Sequence, residues 1–529
     1  MRRGTGVAAG HEGAPLVVGS TMYVVAPFPN KLFALDLARR GRVRWVFDPH
    51  ADPFAHDKAC CDIVNRGAVF TNGKVIYNVL DNTTVAVDAV TGREVWRTKL
   101  GNPATGQTMT MEPLVVHDKV LVGNSGGEMG IRGFVVALNV NTGAEVWRAF
   151  STGPDADVRI GARFHPFYAK DRGTNLGTTT WPGTLWQHGG STVWGWLTYD
   201  PQLNLLFQGT ANPGVWNADI RPGDNKWSTT IFARDPDTGD AIWGYQITPH
   251  DAWDFDGVNE NIVVDLPFGP TRTVRRLLVH FDRNGFAYTL DRASGEVLVA
   301  QPFAFLNWAD RIDLVSGLPV ENASKRTHEG VNVLDICPAA PGGKDEQPAA
   351  FSPRTGFFYV PTNNICMDYE ALKVNFIEGT PFVGASLTMK PGPGGNRGEF
   401  LAWDAAAGRK VWGIPERFPV YSGVLATEGD VVFYGTLDRL FKAVDARTGQ
   451  VLFQAQLESG IVGHPMTFLG PDGKQRVAIY SGPGGFAGAV VAGQLSLDDP
   501  FAGLGGVGAL SDLPQFTKPG GSVHVFKIP

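Results

Sequence analysis

Residues 86–96 read Ala86-Val87-Asp88-Ala89-Val90-Thr91-Gly92-Arg93-Glu94-Val95-Trp96, and this stretch decides the fold. It holds a small residue, an aspartate two positions later, a Thr-Gly pair, and an aromatic four positions past the glycine. The pattern predicts a strand ending at Asp88, a tight turn, and a returning strand that carries Trp96. Aspartate accepts hydrogen bonds from the backbone of such a turn, and glycine supplies its positive φ. An indole on the returning strand is placed to pack on a neighbouring unit, which makes it the link between repeats.

Working outward, the unit recurs as Ala34-Leu35-Asp36 with Gly41 and Trp45, and as Ala137-Leu138-Asn139 with Thr142, Gly143 and Trp147. It returns as Ala233-Arg234-Asp235 with Gly239 and Trp243, and as Ala402-Trp403-Asp404 with Gly408 and Trp412. Two weaker copies are Thr289-Leu290-Asp291 with Gly295 and Val299, and Ala443-Val444-Asp445 with Gly449 and Phe453. Alternating stretches such as Val431-Val432-Phe433-Tyr434-Gly435-Thr436 lie between copies. The spacing is about 50 residues, except between Asn139 and Asp235 and between Asp291 and Asp404. The first gap has room for a long insertion, and the second for a blade without the motif. Seven copies and one degenerate unit predict an all-β, eight-bladed β-propeller with tryptophan-docking repeats, a single domain over residues 1–529.

Composition agrees. The chain has 66 Gly, 36 Pro and 14 Trp among 529 residues, with only 19% charged, as many short strands joined by turns require. The net charge of −6 and the lack of a basic run argue against a nucleic-acid partner. No apolar run nears the roughly 18 to 20 residues of a transmembrane helix. Met1-Arg2-Arg3-Gly4-Thr5-Gly6-Val7 carries two arginines but no apolar stretch after them, so it is not a complete signal peptide. The four cysteines, Cys60, Cys61, Cys337 and Cys366, fit either pairing in an oxidising compartment or reduced cytosolic thiols.

Four segments carry possible chemistry. Cys60 and Cys61 are adjacent; a disulfide between them would close a strained eight-membered ring, whereas two buried thiols would pack as small apolar groups. In Trp253-Asp254-Phe255-Asp256-Gly257 an extended backbone puts both aspartates on one face, where only a cation or a hydrogen-bond network holds them together. Paired surface aspartates beside a turn are the plainer reading, and Asp251 falls in that class. Gly123-Asn124-Ser125-Gly126-Gly127-Glu128 lets backbone approach a ligand closely, and Asn212, extended ahead of Pro213, offers a neutral oxygen. Each of the two is otherwise a turn; with the aspartates they make an oxygen-rich set suited to a hard cation.

Together, Cys60-Cys61-Asp62-Ile63-Val64-Asn65-Arg66-Gly67, the Trp253–Gly257 segment and the repeats resemble the pyrroloquinoline quinone (PQQ) methanol dehydrogenases, from about Gly10 almost to the C-terminus. The resemblance implies an eight-bladed propeller with PQQ between a Cys60–Cys61 disulfide and Trp194. Glu12, Arg66, Thr110, Ser125, Gly126, Gly127 and Thr192 would contact its carboxylates and carbonyls. Arg283 would lie near the reactive quinone oxygens, with Asp345 where some relatives carry Asn. Glu128, Asn212 and Asp254 match metal ligands, Asp254 also the catalytic base, and Cys337 and Cys366 a second disulfide.

Asp256 matches the branch that uses a lanthanide rather than calcium. Three carboxylates in a secluded site suit a trivalent ion better than a divalent one, calcium remaining the alternative. The reaction implied is oxidation of methanol or another small primary alcohol in the periplasm. Electrons would pass to a soluble cytochrome c, and a homodimer is left open. Two features depart from the family. The stretch normally ahead of Gly10, which supplies closing strands and a signal peptide, is missing. Tyr421 also stands where relatives carry Trp, so a wider pocket for a larger alcohol is a rival reading. A non-catalytic scaffold, like outer-membrane assembly factors with similar repeats, is another.

Overall fold

The computed structural model, which describes residues 1–60, 63–493 and 495–527, turns each copy of the repeat into a hairpin of one register. Ala86 stands opposite Trp96, Ala34 opposite Trp45, Ala137 opposite Trp147, Ala233 opposite Trp243 and Ala402 opposite Trp412. The weaker copies pair Thr289 with Val299 and Ala443 with Phe453 in the same way. A small residue under the large one leaves room for the ring, and the register shifts immediately beyond it in each copy.

The turn works as its residue types dictate. Asp88 Oδ1 accepts from the N–H groups of Val90 and Thr91 at 3.1 and 2.7 Å and from the Thr91 hydroxyl at 2.8 Å. Asn139, Asp235, Asp291, Asp404 and Asp445 each accept from the N–H two residues on. Gly92 has φ +72°, and a Cβ there would lie 2.6 Å from Trp45 Cδ2 of the preceding sheet. Gly143, Gly239, Gly295 and Gly449 likewise face Trp96, Trp147, Trp243 and Trp412. Four of these indoles also donate Nε1–H to the next sheet, to the carbonyls of Val140, Pro236, Arg292 and Ala446 at 3.0 to 3.3 Å. The glycine is thus needed twice, for its conformation and for the flat seat it offers the neighbouring ring.

Eight four-stranded antiparallel sheets are present among the described residues. Their first strands are Leu16–Val18, Ala68–Thr71, Leu114–Val116, Leu197–Asp200, Asn261–Phe268, Ala350–Ser352, Leu425–Ala426 and Met466–Leu469. Seven sheets run first to fourth strand in chain order. The eighth joins Met466–Leu469, Gln475–Ser481 and Ser522–Lys527 with Arg2–Gly4. The motif-free unit was expected between Asp291 and Asp404, and the structure corrects this. That gap holds a hairpin, Ala309–Asp313 with Leu318–Glu321, and a three-stranded sheet of Asn332–Ile336, Ile365–Ala371 and Ala385–Pro391. The motif-free sheet is the eighth. The motif occupies the link from third to fourth strand, and in that sheet the two strands come from opposite ends of the chain.

The stretch 151–196 holds no strand, only short helical turns such as Asp155–Val158 and Leu176–Thr179. Cys337 and Cys366 form the disulfide that the resemblance implied. No helix among the described residues is long and apolar enough to cross a membrane.

Candidate active site

The segments just ahead of the first strands converge on one cavity of about 80 Å³. Glu12 precedes the first sheet, Cys60, Val64 and Arg66 the second, Thr108 and Thr110 the third, and Thr192 and Trp194 the fourth. Asp254 and Asp256 precede the fifth, Asp345 and Glu346 the sixth, and Tyr421 the seventh. Loops between second and third strands add Ser125, Gly126 and Glu128 from the third sheet, Arg283 from the fifth, and Gly485 and Phe486 from the eighth. Residues some 50 apart in sequence become neighbours because each sheet presents the same loop to the same hub.

Two arginines organise the walls. Arg66 Nη2 lies 2.8 Å from Glu12 Oε2 and 3.7 Å from Glu346 Oε1, while its Nη1 donates to Thr110 Oγ1 at 2.7 Å. Thr110 Oγ1 in turn lies 3.3 Å from Ser125 Oγ. Arg283 holds Asp345 Oδ1 through Nε and Nη2, at 2.9 and 2.6 Å. Its Nη1 lies 2.9 Å from Asp256 Oδ2 and 3.5 Å from Asp254 Oδ2. Both guanidinium groups sit against Trp194, with Cζ 4.9 and 5.3 Å from the ring centre.

Asp254 and Asp256 both face the cavity, but not along a strand. Residues 251–257 have no regular structure, and Asp254 is left-handed at φ +69°. Trp253 and Phe255 point the other way, against Trp308 at 4.8 and 5.5 Å between ring centres. The extended backbone expected here is therefore corrected, although the alternation of faces it implied is kept. Asp251 is corrected too. It is 1% exposed, not a surface residue, and its carboxylate accepts from the N–H groups of Trp253, Asp254 and Phe255.

Gly126 and Gly127 divide the role expected of them. Gly126, at φ +112°, is pressed against main chain, since a Cβ there would lie 2.3 Å from the Gly106 carbonyl oxygen. Gly127 and Asn212 lie beside the cavity wall, a Cβ at Gly127 falling 3.9 Å from Asn212 Oδ1. Asn212 is fixed by its own N–H, which donates to Asp256 Oδ1 at 2.6 Å. Cys61 lies outside the described residues, so of the adjacent pair only Cys60 is placed, in the wall. Sequence reading passed over Glu346, and also Val64, Thr108, Trp216, Gly485 and Phe486 in the cavity wall. The pairing of Glu346 with Arg66 was hinted at only by its position beside Asp345.

Burial pushes the pKa of Glu128, Asp254 and Asp256 up, and Asp254 furthest, because Asp256 and Glu128 repel its charge while Arg283 offsets only part. Asp345 is also raised well above the usual range by burial. Glu346 is held low despite burial, because Arg66 faces it. Six carboxylates thus share two guanidinium groups, so the cavity is short of positive charge. Among the described residues no three acidic, His or Cys groups stand gathered as a ready-made metal cage; Arg283 lies between Asp256 and Asp254. Yet Asp254 Oδ1, Arg66 Nε and Tyr421 Oη are buried without a hydrogen-bond partner in the described structure. Buried polar atoms without partners are uncommon and signal a ligand or ordered water. Oxygen donors of this kind fit a hard cation, and the Arg66, Thr110 and Ser125 cluster fits an anionic group beside it.

Repeated four-stranded sheets around one hub define the β-propeller class, and the match to a family model over more than half of the residues shows that the chain belongs to the PQQ-dependent alcohol dehydrogenase family. The family model described as "PQQ: Glucose/ethanol/alcohol dehydrogenase, beta-propeller domain" matches residues 2–301 and 413–477. The chain is 52% identical to the "Lanthanide-dependent methanol dehydrogenase" of Methylacidiphilum fumariolicum over 99% of its own length and 87% of that protein. It is 44% identical to the "Methanol dehydrogenase [cytochrome c] subunit 1" of Methylobacterium organophilum, covering 99% of this chain and 85% of that one. The solved structure of a "Europium-containing methanol dehydrogenase" superposes with a TM-score of 0.98 at 51% identity, over 100% of this chain and 92% of that chain.

Proposed function

We propose that this chain oxidises methanol or another small primary alcohol to the aldehyde, using PQQ and a lanthanide ion, with calcium the alternative ion. The observation that carries this reading is that Glu128, Asp254 and Asp256 line one cavity with Cys60 and Trp194, where Arg283 pairs with both aspartates. Glu128, Asn212, Asp254 and Asp256 would hold the metal. Glu12, Cys60, Cys61, Arg66, Thr110, Ser125, Gly126, Gly127, Thr192, Trp194, Arg283 and Asp345 would hold the quinone. Bound there, the quinone supplies a two-electron acceptor and the ion a Lewis acid that polarises it.

The protein does the rest. Asp254 takes the alcohol proton at Oδ1, the oxygen without a hydrogen-bond partner in the described structure. Arg283, tied to Asp345 and Asp256, offers positive charge where negative charge develops. Trp194, Phe486 and Trp216 in the wall exclude water and fix the approach of the alcohol. A trivalent ion is favoured because three buried carboxylates repel one another and each further unit of cation charge relieves more of that repulsion. The relatives named for a lanthanide and for europium support the same choice.

The finer architecture belongs to the same proposal: eight sheets closing as eight blades, with each indole docking on the next. So do the periplasmic location, a soluble cytochrome c as acceptor, supported by the relative named for it, and a homodimer. Reconstituting the protein with PQQ and either calcium or a light lanthanide, then following dye-linked methanol oxidation, tests the reading. Lanthanide-supported oxidation is expected; activity only with calcium overturns the ion, and activity with neither overturns the enzyme.

A further inference from the structure

Asp254 occupies a conformation that a residue with a side chain rarely adopts, and its loop has no strand or helix to hold it. Left to itself, a loop carrying two like charges would relax away from the cavity. Arg283 opposes this from the cavity side, pairing with both aspartates and donating Nη1–H to the Asp254 carbonyl at 3.3 Å, and Asp251 opposes it from beneath. Its Oδ2 accepts the Asp254 N–H at 3.1 Å, and its Oδ1 accepts those of Trp253 and Phe255 at 3.2 and 3.3 Å. One carboxylate thus gathers three successive N–H groups and turns the Asp254 side chain toward the cavity.

Asp251 is itself fixed. Arg221, fully buried, donates Nη2–H to the Asp251 carbonyl, Nε–H to the Val215 carbonyl at 2.6 Å and Nη1–H to Asn225 Oδ1 at 2.8 Å. On the opposite side the Trp253 indole donates to the Lys325 carbonyl at 2.7 Å. The loop is therefore held by a polar staple on one side and by aromatic packing on the other. Neither Asp251 nor Arg221 lines the cavity.

We infer that Asp251 is a positioning residue, braced by Arg221, which sets the backbone of Asp254 so that its carboxylate reaches the metal and the alcohol. This rests on the reading of Asp254 as ligand and base. An asparagine at 251 keeps the size but presents an amide N–H₂ where one of the two acceptors stood, so at least one of the three bonds is lost.

Europium luminescence on PQQ-loaded protein tests the inference without turnover. For Asp251→Asn, europium affinity is expected to fall at least tenfold. The emission decay should be faster in H₂O than the wild type's, and equal to it in D₂O, because a water replaces a displaced carboxylate oxygen. Arg221→Lys keeps the buried charge but loses the forked contacts, and should change both readings in the same direction by less. A folded Asp251→Asn protein with wild-type affinity and decay overturns the inference, whatever its melting temperature. Should that variant not fold, a destabilised Arg221→Lys protein with wild-type europium signals overturns it equally. Wild-type protein that binds no europium overturns the choice of a lanthanide, and this inference with it.

Discussion

Replacing Asp256 by alanine removes one charge from the proposed metal site while leaving the proposed base, Asp254, in the chain. Asp256 is 3% exposed; its Oδ2 faces Arg283 Nη1 at 2.9 Å and its Oδ1 accepts the Asn212 N–H at 2.6 Å. The orphaned Asn212 N–H costs about 1–3 kcal/mol, but this applies whichever ion is bound and cancels from the comparison between ions. The charge does not cancel. Two unit charges about 4 Å apart interact by about 4 kcal/mol at an effective dielectric constant of about 20. A trivalent ion carries one more unit than a divalent one, so its advantage over calcium should shrink by about 4 kcal/mol, a factor on the order of a thousand. Titration of metal-free, PQQ-loaded wild type and Asp256→Ala with europium, and with calcium in competition, measures that ratio directly. An unchanged ratio would refute the argument that the third carboxylate selects the trivalent ion.

Other outcomes follow from the same geometry. The Cys337–Cys366 bridge spans 29 positions, so the double alanine variant should lose about 3.6 kcal/mol in the chain-entropy account; urea unfolding that does not shift would deny the bridge that role. Trp243 is 1% exposed and seated on Gly295, and Trp243→Ala should cost about 3–5 kcal/mol by the same assay. Burial, with Arg66 nearby, lowers the His464 pKa to about 3, below its usual 6.5. The folded protein therefore binds fewer protons there than the unfolded chain, and stability present above pH 6.5 is lost as pH falls toward 3. One such group contributes a slope of about 1.4 kcal/mol per pH unit, so His464→Gln should flatten the acid limb of a denaturation series, and an equally steep limb would count against it. Tyr421 is 5% exposed in the cavity wall. Tyr421→Trp should fill space and lower kcat/KM for butanol relative to methanol about tenfold or more, within the range that small pocket changes produce; an unchanged ratio means that Tyr421 does not bound the substrate.

Much of the architecture was legible because its cause is local. Asp88, Thr91, Gly92 and Trp96 sit within one hairpin, and each acts through a bond or contact that the turn itself creates. The exception is instructive. The eighth sheet takes its third and fourth strands from Ser522–Lys527 and Arg2–Gly4, so no contiguous stretch could carry the motif, and a long gap at Asp291–Asp404 was mistaken for its place.

The site divides in the same way. Residue types at the hub could be named from the sequence, because a family resemblance covers Arg66, Glu128, Asp254, Asp256 and Arg283. Their partners could not. Glu12 and Glu346 meet on one guanidinium group, Asp345 and Asp256 on the other, and only the convergence of loops from different sheets on one cavity brings them there. Asp251 read as an ordinary surface aspartate because nothing in its neighbours reveals burial; the fold alone turns it into the staple beneath Asp254.

The sequence by itself determined the turns, the strand register and the roster of acidic and basic groups, since these depend on covalent neighbours and hydrogen bonds a few residues long. The tertiary structure decided which charges face one another and how much water they lose. Electrostatic energy depends on separation and on the surrounding dielectric, and neither exists until the sheets have assembled.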